Sequence, residues 1–352
     1  MATQTIALTV LAQEYAHDFI PTVNRTCIAL RVLPMRVGGG LNCGWTIKGS
    51  GATAAVMAEG AAVGTPGNDA QIPAVLSWAF YKADGGATGP AQAAAGTASS
   101  PKGNANLLAM NVVDSVAQLA SEINQDVYTG DPTASPVEVG GLDYALGSVT
   151  NTYATINRTS QAAARPTIFN PGVATPITHG MLRKDISDIK VASGESPDLA
   201  LCHPDVFNEI AGTFDATRRY NQTTELTNAR GQIKLDASVN AVTISGCTFI
   251  EDKDATREPG NGSRRIHYLN TKYVEFDLLP PKEIQGLLAQ MGIVPGMLLK
   301  ANDGYGELPL LAAVVAMGKT GDADLFMAKS YLQLKIKSPK HCGMRRFVLI
   351  NS

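Results

Sequence analysis

The sequence predicts an α+β fold, and three observations lead there. A single long stretch, Asn104–Gly130, carries Leu108, Val112, Val116, Leu119, Ile123 and Val127 at spacings of three or four, which keeps one apolar stripe on one helical face. Elsewhere, short extended runs and a few short helices follow one another without the strand–helix–strand alternation of a parallel α/β sheet. Two of those runs bracket a long Gly/Ala-rich tip between Gly38 and Tyr81, the pattern of a protruding hairpin.

In the long helix, Asp114, Gln118, Ser121, Glu122, Gln125 and Asp126 fall mostly opposite the apolar stripe. Asn104 and Asn106 are suited to accept bonds from the free amides at its start, and Gly130 before Asp131-Pro132 ends it. At about 1.5 Å per residue the rod spans roughly 36 Å, the width of a small domain.

The 352 residues suffice for two domains or one large one. A formal net charge of −2 argues against a protein whose main task is to grip nucleic acid or an anionic membrane, since both need a sustained positive field. Only 17% of residues are charged, and low charge with abundant Gly and Ala suits a surface covered by neighbours. Cys27, Cys43, Cys202, Cys247 and Cys342 are scattered and form no Cys-x-x-Cys, so they read as isolated buried thiols. The first basic residue is Arg25 and no continuous apolar segment follows the start, so no signal peptide is expected. The longest apolar run, Leu308–Met317, is about half a bilayer span, and no membrane partner is expected.

Taken in order, Met1–Met35 mixes short apolar groups, among them Tyr15 and Phe19, with single charges and no clear period. It reads as an arm that lies on something else. Alternation at Cys43, Trp45 and Ile47 marks one strand, and Ile72–Tyr81, with Trp78 and Phe80, a second. Two strands alone are marginal in water, so the hairpin is expected to lie against a partner. Ala83–Gly103, rich in Gly, Ala, Ser and Pro, reads as a flexible connector.

Beyond the long helix, Met181, Leu182, Ile186, Ile189 and Val191 predict a helix capped by Thr178. Asp198–Cys202 reads as a short buried strand, and His203-Pro204-Asp205 opens a helix through Phe207 and Ile210. Val239–Ile250 predicts two strands around a turn, and Glu251–Arg265 a polar loop. His267–Phe276 returns to strand pattern, Leu308–Met317 reads as a buried strand, and Ala328–Ile336 alternates.

The nearest approach to a catalytic motif is Ala313–Thr320, which matches the phosphate loop except that Ala313 replaces the first glycine. Gly318-Lys319-Thr320 then runs into Gly321-Asp322-Ala323-Asp324 rather than a helix, so a strand-end turn is expected, with nucleotide binding as the remote alternative. The histidines His17, His179, His203, His267 and His341 show no i, i+3 or i+4 pair, so neither metal nor cofactor is expected. The basic group Lys335, Lys337, Lys340, Arg345 and Arg346 reads as a solvated strand face. Nothing here reads as an active site.

The order of arm, flexible hairpin, long helix and mixed body resembles the major capsid proteins of tailed bacteriophages, the Hong Kong 97-type shell fold. Asp198–Phe207 ending near Arg218-Arg219-Tyr220, Val242–Asp252 followed by His267–Tyr273, and Asn157-Arg158-Thr159 are the stretches most similar to that family. The resemblance covers essentially the whole chain and implies a division into an N-terminal arm at 1–37 and an extended loop at 38–83. A peripheral domain at 84–140 with its spine helix at 104–130, an axial domain at 141–320, and a return strand of the peripheral domain at 321–352 complete it.

It further implies a shell subunit, not an enzyme, that assembles with itself as hexamers and pentamers around the double-stranded DNA of a tailed phage, forming in the host cytoplasm. Tyr15 and Phe19 of the arm, and Trp45, Ile47, Lys48, Trp78 and Phe80 of the loop, are the expected inter-subunit contacts. Some relatives begin with a scaffolding segment. Met1 opens directly on the arm here, so a separate scaffolding protein is expected, with a portal protein, a decoration protein and non-specifically held DNA as further partners. Lys48 is the sole lysine between Met35 and Tyr81, hence the sole candidate for the loop cross-link some relatives make. An encapsulin-like nanocompartment shell of the same fold is the alternative.

Overall fold

The computed structural model describes residues 27–49, 56, 59, 71–91, 107–213, 226–228, 231–233, 241–256, 264–282, 298–299, 313–317 and 322–349. Two sheets dominate, bridged by one long helix, Leu107–Thr129. The first sheet runs in the order Leu298–Leu299, Met35–Val37, Val274–Leu278, Ala323–Ile336, Ala313–Met317, with Ala79–Thr88 along the opposite side of Ala323–Ile336. Along that 14-residue central strand Phe326, Ala328, Ser330, Leu332, Leu334 and Ile336 are buried on one face, and beyond Leu332 the intervening Gln333 and Lys335 are buried as well. Tyr81 fixes the long helix to this sheet. Its hydroxyl donates to Asp126 at 2.6 Å and accepts from the Val139 amide at 3.0 Å.

The second sheet runs Ala241–Ile244, Cys247–Glu251, Leu199–Cys202, Arg264–Leu269, Gly343–Leu349, Thr167–Phe169, with Thr175–Pro176 also on Gly343–Leu349. Ser245 and Gly246 both take positive φ, 51° and 83°, and close the two-residue hairpin between its first two strands. Helices His179–Ser193 and Pro204–Gly212 contribute Leu182, Ile186, Ile189, Val206, Phe207 and Ile210 to its core. The expected cap is present: Thr178 accepts from Met181 N at 3.3 Å. Val191 faces outward, 83% exposed.

Of the predicted stripe on the long helix, Leu119, Ile123 and Val127 are buried and Val112 and Val116 are half-buried; the Leu108 side chain lies outside the described residues. The buried face is wider than the stripe. Ala117, Ala120, Asn124 and Tyr128 join it, because both sheets press on the C-terminal half of this helix.

Five expectations need correction. The run Ile72–Tyr81 is two strands, Gln71–Leu76 in the hairpin and Ala79–Thr88 in the first sheet, because Phe80–Thr88 finds a partner in Ala323–Tyr331. The connector therefore does not begin at Ala83; residues 83–88 are strand. Among the described residues Ala313–Met317 is not buried but a mostly exposed strand paired on one side only, and Leu308–Ala312 lie outside them. The last 32 residues are not one return segment: Ala323–Ile336 is central to the first sheet, while Gly343–Leu349 crosses into the second. Conversely, Val274–Leu278 and Ala313–Met317, expected within the axial range, belong to the first sheet.

Candidate assembly surfaces and the networks behind them

The hairpin pairs Cys43–Lys48 with Gln71–Leu76 in antiparallel register, from Cys43 opposite Leu76 to Lys48 opposite Gln71. Its root is tied to this chain. The Trp78 indole donates to Gly40 O at 3.1 Å, the Trp45 indole to Lys337 O at 3.2 Å, and the Val75 amide to Ala154 O at 3.0 Å. Ile47 and Trp78 are buried and Trp45 is half-buried, its ring 6.1 Å from Tyr153. These three side chains were expected on a neighbour; in the single chain they pack on its own core, since a hairpin this short gains rigidity only by burying apolar area on a larger body.

Lys48 is exposed and Phe80 is 62% exposed. Phe80 lies edge-on to Tyr331, with ring centroids 5.1 Å apart. Lys329 sits 5.9 Å above the Tyr331 ring, and Lys82 pairs with Asp84. Register places Phe80, Lys82 and Asp84 on one face with Lys329 and Tyr331. Leu41, 90% exposed, adds an apolar side chain near the hairpin root. Tyr15, Phe19 and the hairpin tip, apart from residues 56 and 59, lie outside the described residues.

Behind these surfaces, distant segments meet at buried polar groups. Asp252 accepts from Ala29 N at 3.1 Å, the Tyr128 hydroxyl at 3.0 Å and the Asn124 amide at 3.2 Å. Burial pushes its carboxyl above the usual range, against the bonds from the Asp254 amide and these side chains. Asp143 holds His267 Nε2 at 2.9 Å and Arg265 at 2.5 Å. Arg345 pairs with buried Asp185, which also accepts from Tyr268 at 3.0 Å. Arg158, from the Asn157-Arg158-Thr159 group, is wholly buried, donates to the carbonyls of Ser148 and Ala145, and lies over the Tyr153 ring.

Lys340 of the basic group is exposed and Arg346 half-buried, but the other three are not a solvated face. Lys335 is buried between Glu275 and Asp277, Lys337 pairs with Glu275, and Arg345 pairs with Asp185. Sequence alone hid this because the carboxylates lie 58 to 160 positions away. The five cysteines are buried and form no disulfide, and burial pushes the Cys27 and Cys342 thiols up to about 12. Ala313–Met317 is followed by the antiparallel strand from Ala323 as its pairing partner; Gly318-Lys319-Thr320 lies outside the described residues. Among the described residues no group of three or more His, Cys, Asp or Glu is placed to hold a metal ion, and no helix is long and apolar enough to cross a membrane.

No family model and no curated protein matches the chain. Solved structures do. The capsid asymmetric unit of cyanophage A-1(L) superposes over 95% of this chain and 95% of its own, with TM-score 0.64 at 17% identity. The fold is the Hong Kong 97-type capsid fold. The capsid of an empty GTA particle superposes over 97% and 96%, with TM-score 0.57 at 13% identity. The holo-SrpI encapsulin complex of Synechococcus elongatus PCC 7942 superposes over 99% and 96%, with TM-score 0.53 at 11% identity. The Hong Kong 97-type fold thus accounts for both sheets and the long helix together; Asp252 ties that helix to the second sheet and Tyr81 ties it to the first.

Proposed function

We propose that this chain is the major capsid protein of a tailed phage, assembling with itself into an icosahedral shell around double-stranded DNA. The carrying observation is end-to-end superposition on a phage capsid subunit, with no large part of either chain left over. The role is structural rather than catalytic. In this reading the long helix is the spine, the first sheet the peripheral domain, and the second sheet the axial domain that meets its copies around the five- and six-fold axes. The hairpin tip, the exposed Phe80–Tyr331 face, Lys48, and the arm with Tyr15 and Phe19 meet neighbouring copies.

The charge pattern supports a container. Net charge is −2, and the long helix carries Asp114, Glu122 and Asp126 and no cation, so DNA inside is held without a sustained positive field. Scaffolding, portal and decoration proteins, and assembly in the host cytoplasm, belong to the same proposal. The encapsulin-like compartment is the second reading, favoured by the superposition on an encapsulin. Electron microscopy of the purified protein tests the shell: closed particles are expected, and a persistent monomer refutes it. Contents separate the readings, since packaged DNA supports the phage and a protein cargo the compartment.

A further inference from the structure

The buried charge cluster of the first sheet holds a geometry that its neighbours lack. Lys335 Nζ lies 2.5 Å from Asp277 Oδ2 and 3.0 Å from Glu275 Oε1, with the three side chains 4%, 8% and 1% exposed. Glu275 stands directly opposite Lys335 across the antiparallel ladder, and Asp277 is two residues on, so all three share one face. The site is covered. A Cβ built on Gly38 would lie 2.6 Å from the Trp78 ring and 3.4 Å from Asp277 Cβ, and Cys43 Sγ donates to Asp277 Oδ2 at 3.2 Å.

We propose that Lys335 and Asp277 condense to an amide that covalently joins strands Val274–Leu278 and Ala323–Ile336, with Glu275 moving the proton. The ammonium passes a proton to the carboxylate it touches, giving a neutral amine and a neutral acid. In a water-poor site this neutral pair is less penalised than in solution. Nζ then attacks Cγ. Glu275 takes a proton from Nζ and returns it to the departing oxygen. The Nζ–Cγ bond forms, one Cγ–O bond breaks and one water leaves, so no outside reagent is needed. Holding amine and acid in contact replaces a bimolecular encounter.

The charge arrangement selects this pair. Glu275 also meets Lys337 Nζ at 2.6 Å and Arg36 at 3.6 Å, so it keeps two cations after Lys335 is neutralised. Removing one carboxylate and one ammonium as an amide also relieves the desolvation cost that a buried ion pair carries. Lys337, 23% exposed, retains water and stays an ion-pair partner.

Mass spectrometry of the full-length denatured protein tests this, independently of whether shells form. The expected mass is lower than the sequence mass by one water, with a branched peptide joining the segments that contain Asp277 and Lys335. Lys335→Arg should restore the full sequence mass, and Glu275→Gln should slow or abolish the water loss. If neither variant folds, the wild-type mass and peptide map still decide. A full sequence mass with separate peptides, or a lost water located at other residues, overturns the proposal.

Discussion

Tyr128 donates its hydroxyl proton to Asp252 at 3.0 Å, and neither side chain reaches solvent. The same carboxylate receives the Ala29 amide and the Asn124 side chain. One acceptor therefore joins the start of the short helix Ile28–Val32, the long helix, and the loop leaving the second sheet.

Removing that acceptor strands the Ala29 amide and the Tyr128 hydroxyl at once, while Asn124 keeps Asp254 Oδ2 at 2.7 Å. Asp252→Ala is expected to lose about 3 kcal/mol or more of stability, while Tyr128→Phe, which removes one donor cleanly, loses only about 1 kcal/mol. Urea midpoints of the unassembled protein measure both. Equal small losses would show that the carboxylate is not the shared acceptor.

Acid should act on these carboxylates with opposite signs. Burial raises the folded pKa of Asp252, so its contribution is present at low pH and lost as pH rises through that value. For Asp143, burial pushes upward but the His267 bond and the His267 and Arg265 charges outweigh it; for Glu275, Lys337 and Lys335 outweigh burial in the same way. Those two lie below their unfolded values, so their contribution is present above about pH 4 and lost as pH falls through the folded values. Stability of Asp143→Asn should therefore fall less steeply on acidification than wild type, and that of Asp252→Asn more steeply. Identical slopes in a pH series of urea titrations would contradict the assignment.

Gly130 is a position where a methyl group has nowhere to go. A Cβ there would lie 2.3 Å from Val139 O and 2.7 Å from Asp126 O, both backbone atoms. Gly130→Ala should cost about 1–3 kcal/mol. Gly180, in the helix His179–Ser193, has nothing within 4 Å of its Cβ position, so Gly180→Ala should gain up to about 1 kcal/mol. Thermal unfolding of the two variants should move in opposite directions.

Deleting residues 49–69 should leave the body folded, because the hairpin root is held by Trp45, Trp78 and Val75, yet abolish closed shells. Phe80→Ser should weaken assembly with little loss of subunit stability, since the ring is 62% exposed in the single chain. Sedimentation with microscopy reads the first quantity and circular dichroism the second. Shells of normal size from the deletion variant would refute the role given to the hairpin.

The phosphate-loop-like segment gives a negative expectation. No ATP binding should be detectable by calorimetry, because Ala313–Met317 pairs with a following strand rather than opening a helix. Binding that vanished in Lys319→Ala would instead favour a nucleotide-binding enzyme.

Elements whose signal is local were legible in the sequence. The long helix, the Thr178 cap, Pro204 opening its helix, and the Ser245-Gly246 turn all appear where periodicity and turn chemistry put them. Partner choice was not legible. Phe80–Thr88 continues as strand only because Ala323–Tyr331 lies alongside, and Lys335 reads as a surface cation until Glu275 and Asp277 are placed beside it.

By itself, then, the sequence determined the α+β composition, the amphipathic rod and most of the short elements, because these depend on neighbours within a few turns of chain. Only the tertiary structure decided which strands share a sheet, that the terminal segments cross from one sheet to the other, and that Trp45, Ile47 and Trp78 serve this chain's own core. The physical reason is burial. Hydrophobic area and buried charge are satisfied by whatever lies next to them in space, and a linear spacing does not carry that information.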